Sequence, residues 1–596
     1  MLILGVSALY HDSAAALLCD GQLIAAAQEE RFSRIKYDAR FPEQAIHFCL
    51  EQGNVSMRDV DYVVFYEKPL PKFERILTTA LGTFPQSWLT FRESMLAWLS
   101  DKLWTKTNIG RRLDFPRERI LFVDHHLSHA ASALFASPFD SAALLTIDGV
   151  GEWTTAAIGR GRSSWGPGQT NALELTHELI FPHSLGLLYS AFTAWLGFKV
   201  NSGEYKVMGM APYGEPKYLE KVEKVCRMGD DGSVALNMRF FSFQHSLTHT
   251  YSSRFVEHFG PARLPESPFF TARTGDDISG REREAAQNQY YADVAASVQR
   301  FTEEAVLRMA RTAYRQSGGE RRLALAGGVA LNSVANGRIA REGPFDEIFI
   351  QPNAGDAGGA LGAALYVNHA VLGQPRRFVM DHAYYGQALD ASKIVATLDS
   401  AGVAFERIDD VGRMADRIAD ELGSGKVVAL AQGRFEWGPR ALGNRSILAD
   451  PRSSAMKETV NSKIKFRESF RPFAPAIVEE AAATYFEPKG VVGQYPARFM
   501  LVVAPFKDQR AEETPAVAHM GTGRVQIVRR DWNPLYYEII KRFGERTGTP
   551  VILNTSFNLR GEPIVSTPAE ALTSFRKTDM DLLVLDNYVV RGRLAR

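Results

Sequence analysis

Residues 2–27 read LILGVSALYHDSAAALLCDGQLIAAA, and residues 142–158 read AALLTIDGVGEWTTAAI. In the first stretch, Leu2 to Val6 and Ala14 to Leu18 are apolar runs of strand length joined by the polar loop Ser7 to Asp12. The turn signal Asp20-Gly21 then sends the chain back along Leu23 to Ala27. The second stretch repeats that grammar with a strand at Ala142 to Ile147, a turn through Asp148-Gly149-Val150-Gly151, and an answering strand at Thr154 to Ile158. Helix-rich sequence follows each copy. One strand-turn-strand unit used twice, about 140 residues apart, predicts two related α/β lobes around a cleft.

A third α/β feature comes after the helical region around Asp293 to Arg315. Leu323 to Ala326 reads as a buried strand, and Gly327-Gly328-Val329-Ala330-Leu331-Asn332 turns from it into a helix. A Gly-Gly turn lets backbone N–H groups approach a ligand, and the helix N-terminus behind it favours an anion, so this is a candidate phosphate loop. Gly355-Asp356-Ala357-Gly358-Gly359-Ala360 repeats the idea before another apolar helix. The Gly/Pro/Arg segment Gly373 to Arg377 follows, and a fresh α/β pattern begins beyond it, which predicts domains at 1–375 and 376–596.

The composition fits an ordinary globular protein, 596 residues long with 45% apolar and 23% charged residues. Its formal net charge is +1, so no global field points to nucleic acid or to a membrane surface. Cys19, Cys49 and Cys226 form no C-x-x-C pair, which excludes zinc ribbons and a disulfide framework and makes a reducing cytoplasm the expectation. No basic leader opens the chain and no apolar run approaches the ~20 residues of a membrane span, so neither targeting nor anchoring is expected.

Val123-Asp124-His125-His126-Leu127-Ser128-His129 is the densest histidine cluster. On a helix, His125 and His129 share a face and suit a shared metal ion, while His126 points elsewhere. Two imidazoles with carboxylates and no thiolate suit Fe(II), Zn(II) or Mn(II). His177-Glu178 is no zincin motif, because no second His follows at the required spacing. His11, in the loop after the first strand, is a candidate general base.

Arg434 to Arg471 carries nine basic residues against Glu436, Asp450, Glu458 and Glu468, an excess of five in 38 residues. These cations are interleaved with Gly438-Pro439, Gly443-Asn444 and Arg471-Pro472-Phe473-Ala474-Pro475, turn chemistry that converges side chains on a small phosphate-bearing ligand. Asn554-Thr555-Ser556-Phe557-Asn558 follows an apolar strand and offers hydroxyl and amide groups to the same ligand. The chain holds no P-loop, no G-x-G-x-x-G after a strand and no G-x-S-x-G elbow.

Taken in order, GVSALYHDSA from Gly5, Glu29-Glu30-Arg31-Phe32-Ser33-Arg34-Ile35-Lys36, HHLSHA from His125, IDGVGEW from Ile147, GEYKVMGMAPYG from Gly203, GGVALN from Gly327 and EWGPRALGNRSILADPR from Glu436 resemble the NodU/CmcH/TobZ family of O-carbamoyltransferases. The resemblance implies an N-terminal duplicated actin/sugar-kinase-like (ribonuclease-H-like) metal domain and a C-terminal YrdC-like α/β domain. It implies that the C-terminal domain makes carbamoyl adenylate from the co-substrates carbamoyl phosphate and ATP. The carbamoyl group would then pass, in the metal domain, to a hydroxyl of a small molecule, releasing AMP. Carried over residue by residue, the metal ligands are His125, His129, Asp148 and Asp356, with Fe(II) expected. His11 is the base, with Lys36 beside the transferred group, and Gly327, Gly328 and Asn332 meet nucleotide. Arg440, Lys465, Arg471, Arg524, Asn554 and Ser556 hold carbamoyl phosphate.

The sequence departs from the family pattern at Met520, where an acidic residue is expected before Gly521-Thr522. Of the competing readings, a tRNA-threonylcarbamoylating enzyme needs an extended basic surface that a near-neutral chain does not offer. A hydrogenase-maturation carbamoyltransferase needs cysteine pairs. A non-catalytic actin-superfamily nucleotide binder needs neither the histidine pair nor the basic second domain. A natural-product acceptor with no nucleic-acid, membrane or obligate protein partner is therefore the expectation.

Overall fold

The predicted repeat is visible in the strand order. In the computed structural model, which describes residues 1–166 and 170–592, one sheet is built from β1 (Leu2–Ser7), β2 (Ala14–Cys19), β3 (Gln22–Gln28), β4 (Tyr62–Phe65) and β5 (Ile120–Phe122) in the order β3-β2-β1-β4-β5. β1 runs antiparallel to β2 and parallel to β4, with Gly5 opposite Ala16 on one side and Val64 on the other.

A second sheet uses β6 (Ser141–Ile147), β7 (Thr154–Arg162) and β8 (Ala172–Ile180). After the small hairpin β9 (Cys226–Met228) and β10 (Val234–Leu236), it is completed by β11 (Arg322–Ala326) and β12 (Glu347–Phe349), in the order β12-β11-β6-β7-β8. β6 is antiparallel to β7 and parallel to β11. Counted within each half, both sheets read 3-2-1-4-5 with the same sense about the first strand, the ribonuclease-H-like arrangement, so the first part of the chain is a duplicated α/β fold.

β1, β2 and β6 are almost continuously buried, as strands covered on both faces must be. The edge strand β8 alternates half-buried Leu173 and Leu175 with exposed Glu174 and Thr176, and it carries the exposed His177-Glu178 pair on that open edge. The helices His125–Leu134 and Gly358–Tyr366, each following the fifth strand of its half, cross closely at Gly362, where a Cβ would lie 1.8 Å from the Ser128 carbonyl oxygen. Any larger residue there would push apart the two helices on or beside which His125, His129 and Asp356 stand.

By packing, the chain divides between Val379 and Met380 and also within the first sheet's exit. One unit is Met1–Ala25 with Ala39–Val379, and the other is Ala26–Asp38 with everything from Met380 onward. A boundary at 375/376 with one contiguous N-terminal domain therefore misses the segment Ala26–Asp38. That segment is stitched into the second unit: Arg31, 1% exposed, donates to the Gly438 carbonyl at 2.7 Å, and Arg34 donates to the carbonyls of Ile564 and Pro563 at 2.7 and 2.9 Å. In return the Ser566 hydroxyl donates to the Arg31 carbonyl.

The second unit is a mixed sheet of eight strands. In chain order they are β13 (Glu406–Arg407), β14 (Val428–Ala431), β15 (Arg445–Ala449), β16 (Ala474–Val478), β19 (Gln526–Val528), β20 (Val551–Ser556), β21 (Leu582–Leu585) and β22 (Tyr588–Arg591), with β17 (Val503–Pro505) and β18 (Thr522–Arg524) forming a separate pair. The large sheet runs β13-β22-β21-β14-β15-β20-β16-β19. Alternate residues feed two cores, Ala429 and Ala431 on one face and Val428 and Leu430 on the other.

Met520 sits in a turn, with φ +50° followed by Gly521 at +78°, closed by the His519 N–H donating to the Thr522 carbonyl at 2.7 Å. Two successive left-handed residues are the hairpin geometry that Asn-Gly and Asp-Gly serve best. An acidic residue at this position thus has a conformational reason. Met520→Asn is expected to raise stability by roughly 0.5–1 kcal/mol, read as a higher unfolding midpoint, and an unchanged or lower midpoint would contradict the turn assignment.

Candidate metal centre and anion site

The strand order explains how residues far apart in sequence meet. The helix His125–Leu134 starts after β5 and carries His125 and His129 one turn apart. Asp148 follows β6, and Asp356 precedes the helix after β12. Ligand atoms of these four residues all lie within 4.8 Å of one another. His125 Nε2 is 3.0 Å from His129 Nε2 and 2.9 Å from Asp148 Oδ2. Asp356 Oδ1 stands 3.6 Å from His125 Nε2 and 3.7 Å from His129 Nε2, and Asp148 Oδ2 is 3.7 Å from His129 Nε2. Donors bound tetrahedrally at 2.0–2.1 Å are separated by about 3.4 Å, so two imidazoles and two carboxylates in this arrangement fit a divalent ion.

The electrostatics agree. Burial disfavours charge on His129, but hydrogen bonds to Asp148 and Asp356 outweigh it and raise its pKa to about 9. Burial likewise opposes charge on Asp148, and the bonds from His125 and His129 hold it well below the usual carboxylate range. Two buried carboxylates thus demand cationic charge between them, from protons or from a metal. His126 is outside the set: its ring bonds the Thr146 hydroxyl at 2.7 Å and the Thr154 carbonyl at 2.9 Å, and burial pushes its pKa down to about 3. Glu152 accepts the backbone N–H of His125 at 3.1 Å, capping the helix at its positive end.

His129→Ala removes one of four candidate ligands from a packed helix. Bound metal is expected to fall at least tenfold with secondary structure unchanged, measured by elemental analysis and circular dichroism, and full occupancy would remove His129 from the set.

His11 reaches the same cluster from the loop after β1, its Nε2 3.6 Å from Asp356 Oδ2 and its side chain 28% exposed. It is thus open to solvent on one side and faces a ligand on the other. The N–H groups of the Gly-Gly turn are engaged within the fold. The Gly327 N–H donates to the Ala354 carbonyl and the Gly328 N–H to Asp148 Oδ1, both at 2.9 Å, so neither is left for a phosphate. The helix behind them begins at Ser333, and Asn332 caps it by accepting the Ala335 N–H at 3.1 Å while pairing with Gln299. Gly328 supports the candidate ligand Asp148, Gly327 ties the turn to Ala354, and Asn332 supports a helix.

In the second unit, Lys465 is buried, and its ammonium donates to the Ser556 carbonyl at 2.7 Å, the Asn558 carbonyl at 2.8 Å and Asn558 Oδ1 at 2.7 Å, with Ser556 Oγ at 3.3 Å. Burial first, then the charges of Arg467, Arg471 and Lys36, push its pKa well below the ordinary lysine value. Lys36, expected beside the transferred group, lies in the segment Ala26–Asp38 that packs with the second unit, and its charge is among those that bear on Lys465. Arg440 lies on a loop drawn tight by buried Glu436, whose Oε1 accepts the N–H groups of Leu442, Asn444 and Arg445 at 2.7, 2.8 and 3.2 Å. Asn554 holds the same loop by donating to the Ala441 carbonyl at 3.1 Å, and its Oδ1 is buried without a hydrogen-bond partner. Arg524 lies on β18.

Not every cation of the basic run faces a ligand. Arg445 is wholly buried among the carbonyls of Gln432, Gly433 and Asn444, which makes it structural. Arg452 is spent on Asp450 at 2.6 Å.

Two family models match this sequence, the carbamoyltransferase N-terminus over residues 2–365 and the carbamoyltransferase C-terminus over residues 419–592. The chain belongs to the carbamoyltransferase family. An uncharacterized protein of Synechocystis is 46% identical to this carbamoyltransferase, over 99% of the chain and 96% of its own length. The nodulation protein NolNO of Sinorhizobium fredii is 37% identical over 98% of the chain and 79% of its own, and nodulation protein U of that organism is 28% identical over 96% of each. Among solved structures, component A of the (R)-2-hydroxyglutaryl-CoA dehydratase of Acidaminococcus fermentans covers 62% of this carbamoyltransferase and 99% of its own chain, at 14% identity and a TM-score of 0.31, too slight a likeness to build on. The protein is an enzyme, and none of its described helices is long and apolar enough to cross a membrane.

Sequence reasoning gives no site role to Glu67, Glu152 or Glu436, three buried carboxylates. A single glutamate after a strand carries no pattern. Its burial is decided by what folds over it.

Proposed function

We propose that this carbamoyltransferase makes carbamoyl adenylate from carbamoyl phosphate and ATP in its second, YrdC-like unit, and transfers the carbamoyl group in its first unit to a hydroxyl of a small-molecule natural product. The carrying observation is the Lys465 cluster, where the charges of Arg467, Arg471 and Lys36 bear on one buried ammonium. Such mutual repulsion is relieved by a phosphate-bearing anion. Arg440, Arg524 and Ser556 join in holding carbamoyl phosphate, and the orphaned Asn554 Oδ1 is the acceptor that a carbamoyl NH2 needs.

In the first stage a water releases inorganic phosphate, and the remaining carbamate displaces pyrophosphate from ATP. In the second, the acceptor oxygen displaces AMP. A divalent ion on His125, His129, Asp148 and Asp356, with Fe(II) favoured over Zn(II) or Mn(II), supplies Lewis-acid polarisation of the carbonyl and offsets phosphate charge. His11 takes the acceptor's proton at an imidazole nitrogen. The co-substrates put the reaction in the cytoplasm, and the near-neutral chain calls for no nucleic-acid partner.

The test is ATP–pyrophosphate exchange with and without carbamoyl phosphate, followed by mass spectrometry of hydroxylated acceptors for the gain of one carbamoyl group. Exchange that ignores carbamoyl phosphate would overturn the adenylate route.

A further inference from the structure

His125 directs Nε2 into the cluster of His129, Asp148 and Asp356, which leaves Nδ1 on the far side of the ring. The residue is 2% exposed, and Nδ1 is buried with no hydrogen-bond partner. An imidazole that gives its Nε2 lone pair to a metal carries its proton on Nδ1, and a buried N–H without an acceptor forfeits its hydration for nothing. Glu67 Oε2 stands 4.0 Å from this nitrogen. Glu67 is itself 5% exposed and anchored by the Lys72 ammonium at 2.6 Å, and Lys72 lies over the ring of Tyr10, next to His11, at 4.8 Å from its centre.

The duplication supplies an independent reason. Glu67 is the second residue after β4, the fourth strand of its half, and Gly328 is the second residue after β11, the fourth strand of the other half. Gly328 supports a candidate ligand by donating its N–H to Asp148 Oδ1. Equivalent stations in the two halves thus stand behind a histidine and an aspartate, one offering an acceptor and the other a donor, as each ligand requires.

We propose that Glu67 is a positioning residue of the metal centre: its carboxylate accepts the Nδ1 proton of His125, fixing the tautomer and ring orientation that present Nε2, while Lys72 holds the carboxylate in place. This rests on the metal reading above. Contacts of this kind govern metal affinity by about 10–100-fold.

The test measures Co(II) affinity of the full-length chain by competition with a chromophoric chelator, for wild type, Glu67→Gln and Glu67→Leu. Glu67→Gln keeps an acceptor and is expected to bind about tenfold more weakly, whereas Glu67→Leu keeps the bulk alone and is expected to lose about 100-fold with a shifted Co(II) visible spectrum. A role limited to packing or to pairing with Lys72 predicts equal losses in both variants. Equal losses, or a Leu variant within threefold of wild type, would overturn the proposal while leaving the metal reading intact. A wild-type chain that takes up no Co(II) would sink both. Should the variants not fold, a crystal structure of the Co(II)-loaded wild type decides: an Nδ1–Oε2 separation of about 2.6–3.2 Å supports the contact, and one still near 4 Å overturns it.

Discussion

His11→Ala keeps carbamoyl-phosphate-dependent pyrophosphate exchange near the wild-type rate and loses carbamoyl transfer by about 10²–10⁴-fold. An alcohol with a pKa far above neutrality is a weak nucleophile, so transfer needs a base within hydrogen-bond reach of the attacking oxygen. His11 is the candidate for that base: its Nε2 lies 3.6 Å from Asp356 Oδ2, and its side chain is 28% exposed. An unprotonated imidazole has the basicity suited to that task near neutral pH. No residue of the Lys465 cluster is in the same packed unit as His11, which is why the two activities should separate. Both assays belong on one preparation. Equal losses in the two, or an unaffected transfer rate, would take His11 out of the chemistry.

Lys465→Met gives the converse pattern, with exchange reduced by about 10²–10³-fold and metal content unchanged. The ammonium is the buried centre of a ring of oxygens from Ser556 and Asn558, so it organises the turn after β20 as well as supplying charge. Methionine fills comparable volume without donors. Lys465→Arg should fail as well, because a planar guanidinium cannot reproduce a compact ammonium meeting four oxygen atoms. If either variant retains exchange above a tenth of the wild-type rate, Lys465 is a structural lysine and the phosphate site lies elsewhere.

How far these sites were legible depended on how local their signals were. The H-x-x-x-H spacing of His125 and His129 follows from helical geometry alone, and the strand-turn-strand repeat at Leu2 and Ala142 announced the duplication that the two sheets display. Asp356 was reachable only through the family resemblance, since no spacing rule connects it to Asp148 across six strands and the 35-residue helix Glu282–Gln316. The Gly327-Gly328 turn is legible as a turn, but what its N–H groups meet is not. Gly-Gly chemistry frees backbone donors, but the sequence does not say that Asp148 Oδ1 and the Ala354 carbonyl take them. Arg445 was counted with the ligand-facing cations because charge is visible in a sequence and burial is not. Glu67 left no periodic trace. Nor did Lys36 betray that its segment packs with the second unit, because a short polar segment after a strand reads as a surface loop.

The detour of Ala26–Asp38 bears on how such chains are inherited. The polypeptide passes from the first unit to the second and back again before its final departure at Met380, so the second unit is not a continuous cassette in the gene. A single recombination crossover near codon 380 would pair a foreign second unit with a resident segment whose Arg31 and Arg34 must find the carbonyls of Gly438, Ile564 and Pro563. Chimeras between distant relatives therefore need that short insert to travel with its unit, and the two halves of this gene are bound to a shared ancestry by thirteen residues.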